Sequence, residues 1–299
     1  MSAVILNSHF ISAQGLEEVE LDAAWKDKIR ELAPDQPTVK PEKVPRILVF
    51  TLSTGYQHWV VPHTTAMLEV LSDKTGAFVM DQHADIKVLE GLKGYDAIIL
   101  NNNCSADERR DLFWDELGKD KALTETEREE KAARLEKNLI KFVKHGGGLM
   151  VIHGGIVMQN NSMEFSKMVG GSFDYHPVQQ EVEVSLVEPG HPLLAGFKGQ
   201  PFVHVDEPYI FKNAYFNFDF RPLLSMDATA LHSLKEDIKD PVIYISWIKR
   251  YGKGRVFYVS PSHNAQSFED PGLLRYYLDG LQYVTGDLPC DDSPMKRNP

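Results

Sequence analysis

Repeatedly in the first half of the chain, an unbroken apolar run stops at a cluster of polar or glycine residues. Ile47-Leu48-Val49-Phe50 leads into Ser53-Thr54-Gly55-Tyr56-Gln57-His58. Ala97-Ile98-Ile99-Leu100 leads into Asn101-Asn102-Asn103, and Leu149-Met150-Val151-Ile152 into His153-Gly154-Gly155. A strand that is apolar at every position must be covered on both faces, which in soluble proteins means a parallel sheet flanked by helices. The intervening segments supply helix periodicity. Val61 to Leu71 places Ala66, Val70 and Leu71 on one side, and Leu135, Leu139 and Val143 recur every fourth residue. Gly76 and Gly146-Gly147-Gly148 are natural stops, and Ala77–Met80 resumes as strand. Strands alternating with helices predict an α/β fold with a mainly parallel central sheet.

Beyond Glu181 the pattern changes to shorter, alternating strands. They are predicted around Val182 and Val184, His204–Asp206, Thr229–His232, Pro241–Ile248 and Arg255–Ser260, with a closing helix over Pro271–Val284. Residues 1–45 read as an arm. Pro34, Pro37, Pro41 and Pro45 favour extended backbone, and a short helix is predicted around Leu21–Leu32. Within the arm, residues 1–13 resemble a degenerate export signal with no basic residue before Lys26. The expected location is therefore cytoplasmic, or periplasmic if that segment is a signal. Residues 46–286 form the expected domain and 287–299 a tail.

Composition narrows the function. At 299 residues and 42% hydrophobic content, the chain can bury a large core without staples. Its net charge of −11 and lack of a basic stripe exclude nucleic acid as an expected partner. The dense charge run from Thr124 to Lys137 mixes both signs, as a solvated helix face does. Cys104 and Cys290 are too few for a disulfide framework, and no CxxC pair exists. No apolar run reaches the ~20 residues of a transmembrane span.

In open parallel sheets ligands bind beyond the carboxyl ends of the strands, where these polar clusters fall. His153 follows a buried strand in a Gly-flanked turn resembling a nucleophile elbow, but with an imidazole in place of Ser or Cys. Such a group can act as base, hydrogen-bond donor or metal ligand; the bland alternative is a buried histidine satisfied by backbone. The His58 loop lacks phosphate-loop and dinucleotide fingerprints. His176, Glu207 and His263 could complete a site for a sugar or a divalent cation such as zinc, with His58 and His153 as further ligand candidates. No HExxH spacing supports the metal. Catalytic candidates are His153, Glu207, His58 and His263; substrate-binding candidates are Tyr56, Gln57, Asn102, His176 and Asp206. Asp206-Glu207 could equally be a solvated acidic loop. Tyr56, Trp59, Tyr175, Tyr209 and Phe268 could stack on a sugar, although aromatics at this density usually form core. Cys104 lacks an elbow and is set aside as a nucleophile, His191-Pro192 marks a turn, and His9, His83, His145, His204 and His232 carry no motif.

Taken in order, these boxes resemble the ThuA-like, or trehalose-utilisation, family. The Gly55-Tyr56-Gln57-His58 loop, Gly146-Gly147-Gly148 with Val151-Ile152-His153-Gly154, and Val169-Gly170-Gly171-Ser172-Phe173 with His176-Pro177 carry the likeness. His191-Pro192 with Gly196, Asp206-Glu207-Pro208-Tyr209, Tyr251-Gly252-Lys253-Gly254-Arg255, Ser262-His263 and Asp270-Pro271 complete it. The resemblance implies a flavodoxin-like three-layer sandwich, class I glutamine amidotransferase-like but without that class's catalytic cysteine. It further implies bacterial carbohydrate metabolism around trehalose or 3-keto glycosides. The expected partner is a small carbohydrate, with self-association left open. Departures from the family pattern are an insertion around Trp114–Lys131, the N-terminal Pro-rich arm, and Gln57 where Arg is common. The expected chemistry is proton transfer by His153 or Glu207 beside a carbonyl polarised by His58, His263 or a cation. A metal-dependent hydrolase and a non-catalytic sugar binder are the alternatives.

Overall fold

The computed structural model describes residues 16–235 and 240–295, so the export-signal reading of residues 1–13 and His9 lie outside the described residues. Strand β1 (Arg46–Phe50) lies between β2 (Val79–His83) and β3 (Ala97–Asn101), all parallel. Next come β4 (Gly148–Ile152) and β11 (Gly254–Val259), still parallel. The sheet then turns antiparallel through β10 (Val242–Tyr251), β9 (Arg221–Asp227), β6 (Gln180–Leu186) and β7 (Phe202–Asp206). The result is one nine-stranded sheet with a parallel centre and an antiparallel wing. A separate two-stranded ribbon pairs β5 (Ser172–Tyr175) with β8 (Ile210–Lys212).

Core strands are as apolar as the sequence demands: Ile47 to Phe50, Ala97 to Leu100 and Leu149 to Ile152 are completely buried. Helices fall into two packing groups, one on each face. Helix α1 (Ala23–Leu32) packs on α2 (Val61–Thr75), and α6 (Pro271–Thr285) covers β4 and β11 on that side. Helices α3 (Leu112–Leu117), α4 (Glu125–Lys144) and α5 (Met163–Val169) form the other layer. Strand alternation on β11 shows the division: Phe257 packs edge-on against Tyr276 of α6, while the next residue, Tyr258, lies against Trp247 and Phe211. The mixed charge run opens α4, where Thr124 and Glu127 form a reciprocal capping box.

Two strand assignments from sequence need correction. Thr229–His232 is not a strand: the Asp227 side chain accepts from the Thr229 N–H and hydroxyl and turns the chain into a short 3-10 segment. The strand lies earlier, over Arg221–Asp227, where Pro222 argues against one. Its ladder with β10 is irregular there, which is where a strand tolerates proline. The strand expected at Ala77–Met80 starts at Val79 and runs to His83.

The arm docks through Trp25 and Ile29, buried side chains worth roughly 1.5–3 kcal/mol each. Its extended portion is tied to α6 by the Thr38 hydroxyl, which donates to Asp279 Oδ1. The other carboxylate oxygen of Asp279 is buried without a partner among the described residues. Burial raises this carboxyl to about 6 from 3.8, against the opposing effects of the Thr38 hydrogen bond and the Arg275 charge. The folded state therefore holds the proton more tightly than the unfolded chain. That contribution is complete below the unfolded value and is lost as pH rises through about 6. Asp279→Asn is expected to remove this slope and to raise stability at neutral pH by roughly 1–3 kcal/mol. Urea unfolding at pH 4.5 and 7.5 checks it; an unchanged pH slope in the variant contradicts it.

Candidate functional site

Five strand ends build the site, those of β1, β3, β4, β7 and β11. The loop after β1 is stitched to the loop after β3: Thr54 and Gly55 N–H groups donate to Cys104 O, and Asn103 Nδ2 donates to the carbonyls of Phe50 and Leu52. This approach leaves no space for a side chain at Gly55, where a Cβ would lie 2.2 Å from Ser105 O. The loop thereby holds His58 over the sheet edge, almost fully buried. His153 is the first residue beyond β4 and adopts φ +42°, a conformation that costs a non-glycine residue about 1–2 kcal/mol. The next residue, Gly154, must be small, since a Cβ there would meet Cys104 Sγ and His58 Cε1 at 2.8 Å.

His263 and Glu207 arrive from the other side. Asp206 ends β7, and its carboxylate accepts from the N–H groups of Glu207 (2.8 Å), Ser262 (2.9 Å) and His263 (3.2 Å). One buried carboxylate thus fixes the backbone of both residues.

The four side chains converge. One ligand atom from each of His58, His153, Glu207 and His263 lies within 4.8 Å of all the others. Glu207 Oε2 is 3.1 Å from His263 Nδ1 and 3.6 Å from His153 Nε2, and these two nitrogens are 3.4 Å apart. His153 Nδ1 lies 2.9 Å from the carbonyl of Ser260, which can only accept. Nδ1 therefore carries a proton, and in the neutral ring Nε2 is the nitrogen whose lone pair faces the cluster. His58 Nε2 is buried with no partner among the described residues.

Electrostatics follow from this crowding. Burial, then the neighbouring His153 and His263, lowers His58 well below the usual imidazole value, so it stays neutral. Burial also opposes ionisation of Glu207 and charging of His263. At Glu207 the hydrogen bonds and charges of His153 and His263 prevail and hold it far below the carboxylate range; at His263 the hydrogen bond and charge of Glu207, with the charge of Asp206, prevail and raise it.

In front of the cluster lies a cavity of about 290 Å³ exposing His58, Glu207 and His176 beside Tyr56, Phe173 and Tyr209. His176 Nδ1 stands 3.7 Å from Glu207 Oε1, the carboxylate oxygen away from the cluster. Tyr56 is 59% exposed, edge-on to His58 and stacked at 6.4 Å from His263. Tyr209 is buried and backs His153 at a ring separation of 4.2 Å.

Other sequence candidates lie elsewhere. Asn102 is fully buried; its Oδ1 accepts from Gly154 N–H and its amide donates to Asn101, so it holds the His153 turn from beneath. Asp206 holds backbone in the way described. Gln57 is exposed and closes its own loop through the carbonyls of Ser53 and Gly55. Trp59 packs on His63, Tyr175 lies under Lys235, and Phe268 is buried against Tyr277.

Sequence reasoning passed over Arg110, Asp107 and the wall position of Cys104. Nothing separates Arg110 from an ordinary surface charge cluster in the sequence, and a lone Cys104 there raises only the question of a nucleophile. Its thiol sits 3.8 Å from His58 Nδ1 and is pushed by burial to about 12, which leaves it protonated.

The fold and site define an α/β protein that gathers a three-histidine, one-glutamate cluster at the carboxyl rim of a parallel sheet. By sequence, the chain belongs to the ThuA family, described as trehalose utilisation, whose model matches residues 46–284. A ThuA-like protein from Bacteroides uniformis ATCC 8492 superposes with TM-score 0.60 at 19% identity, covering 83% of this chain and 94% of that one. One from Parabacteroides merdae ATCC 43184 gives 0.57 at 14% identity, covering 86% and 94%. At these identities the likeness speaks for fold. No curated protein matches the chain. Among the described residues, no helix is long and apolar enough to cross a membrane.

Proposed function

We propose that the chain processes a small carbohydrate, a glycoside or keto-glycoside of the trehalose type, at a divalent-metal centre held by His58, His153, His263 and Glu207. The observation that carries this reading is the convergence, within 4.8 Å, of one ligand atom from each of three buried histidines and the partly buried Glu207. The donor set fits a borderline ion such as zinc. The orphaned Nε2 of His58 and the pinned tautomer of His153 are what metal ligands require, including an outer partner that orients the ring. A bound divalent ion would supply Lewis-acid polarisation of a substrate carbonyl or hydroxyl.

The remaining roles fall to the chain. Tyr56 and Phe173 offer ring faces to a sugar, and a cavity near the lower end of the roughly 300–1,000 Å³ typical of ligand sites suits about one sugar ring. His176 is partly exposed and lines the cavity; its Nδ1 is 2.9 Å from the Pro177 carbonyl, so its other ring nitrogen is the one available to move a proton between substrate and solvent.

A second reading rests on the 3.1 Å pair of His263 Nδ1 and Glu207 Oε2, which could do acid–base chemistry unaided. Elemental analysis of untagged protein, with turnover of keto-glycosides before and after chelation, separates the two. The metal reading expects about one divalent ion per chain and turnover lost on chelation. Chelator-insensitive turnover moves the chemistry to the Glu207–His263 pair. Sugar affinity by calorimetry with no product in either state reduces the protein to a binder.

A further inference from the structure

The cavity that exposes Glu207 and His58 is also lined by Arg110, which the reading above does not use. Arg110 sits between β3 and α3 with φ +57°, a left-handed backbone unusual for a long side chain. The surrounding chain enforces it. Arg110 N–H donates to Ala106 O at 3.0 Å, Asn161 N–H donates to Arg110 O at 3.2 Å, and Leu112 N–H donates to Met158 O at 3.0 Å. Strain retained in this way concentrates at sites of recognition.

The guanidinium carries five N–H donors. It contacts Ser105 O at a long 3.4 Å and Asp107 Oδ1 at 2.6 Å. The Asp107 side chain is 89% exposed, so water and salt screen that pair and it contributes little. Phe173 lies 5.9 Å from the guanidinium carbon and provides an adjoining apolar wall. Glu207 alone gives the four-residue cluster a single negative charge when its imidazoles are neutral, and a divalent ion reverses that sign. Arg110 and Asp107 offset each other, so the loaded pocket is left with one net positive charge.

Resting on the metal-centred reading, we propose that Arg110 is a specificity residue and that the substrate sugar carries an anionic group, a carboxylate or a phosphate, which the guanidinium grips. Arginine suits such a group because its fork binds two oxygens at once, a geometry lysine lacks.

The test is calorimetric titration of the purified full chain, as isolated and after zinc loading, with D-glucuronate, glucose 6-phosphate and glucose. At least one anionic probe is expected to bind about 10-fold or more tightly than glucose. The stronger arm identifies the carboxylate or the phosphate as the natural group. Arg110→Gln is expected to erase the preference while retaining its metal content by elemental analysis, and Arg110→Lys to restore part of it. Asp107→Asn, an exposed change that spares the fold, is expected to strengthen anion binding by freeing the guanidinium. Equal binding of the three probes, binding of none, or a preference unchanged in Arg110→Gln overturns the proposal. A wild-type chain that binds anions through Arg110 yet takes up no metal overturns the metal-centred reading instead.

Discussion

Replacing His153 by alanine is expected to abolish metal retention, lowering zinc affinity by more than about 100-fold, with turnover lost in parallel. The magnitude follows from what the ring does. It is fully buried, its Nδ1–H is committed to Ser260 O, and its Nε2 lies 3.4 Å from His263 and 3.6 Å from Glu207. On the metal-centred reading its removal deletes a ligand, and it leaves the Ser260 carbonyl without that donor. Competition with a chromophoric chelator measures the affinity, and near-UV circular dichroism confirms native packing. A natively packed variant with full zinc stoichiometry would show that the cluster is not a metal centre built on His153.

Asp206→Ala should have the second largest effect although Asp206 does not line the cavity in front of the cluster. Its carboxylate satisfies three backbone N–H groups, those of Glu207, Ser262 and His263. Leaving buried donors unpaired costs about 1–3 kcal/mol each, so several kcal/mol of stability are expected to go. Metal affinity should fall about 10–100-fold as Glu207 and His263 lose their fixed backbone. Asp206→Asn keeps one accepting oxygen and should recover part of both losses. Chemical denaturation and zinc titration on the same preparations check this. Affinity unchanged in Asp206→Ala, despite reduced stability, would refute the positioning role.

Asp206 also shows how far a one-dimensional reading reaches. Beside Glu207 it reads as a substrate carboxylate, since sequence adjacency does not disclose which of two acids lines the cavity and which is spent on backbone N–H groups. Asn102 followed the same course: a polar residue at a strand end read as ligand-facing, yet it is buried and braces Gly154. Arg110 was invisible for the opposite reason. Among Asp107, Glu108, Arg109 and Asp111 it reads as one more surface charge, and only folding against Asn161 turns it into the cavity wall.

Strand β9 is a further case, because Pro222 argues locally against a ladder that an irregular pairing with β10 accommodates. Local chemistry suffices where a residue's neighbours in sequence decide its state. Apolar runs covered on both faces, the capping box at Thr124, the glycine stops and the order of the ThuA boxes all belong to that kind, and from them the sequence alone determined the α/β fold and the family. Which side chains face one another is set by chain segments far apart in sequence. His58 and His263 are brought together by the packing of separate strand ends, and the partnering of Nδ1 with Ser260 depends on β4 lying beside β11. Those contacts arise from long-range packing, so the three-histidine, one-glutamate cluster and the arginine beside it were decided by tertiary structure.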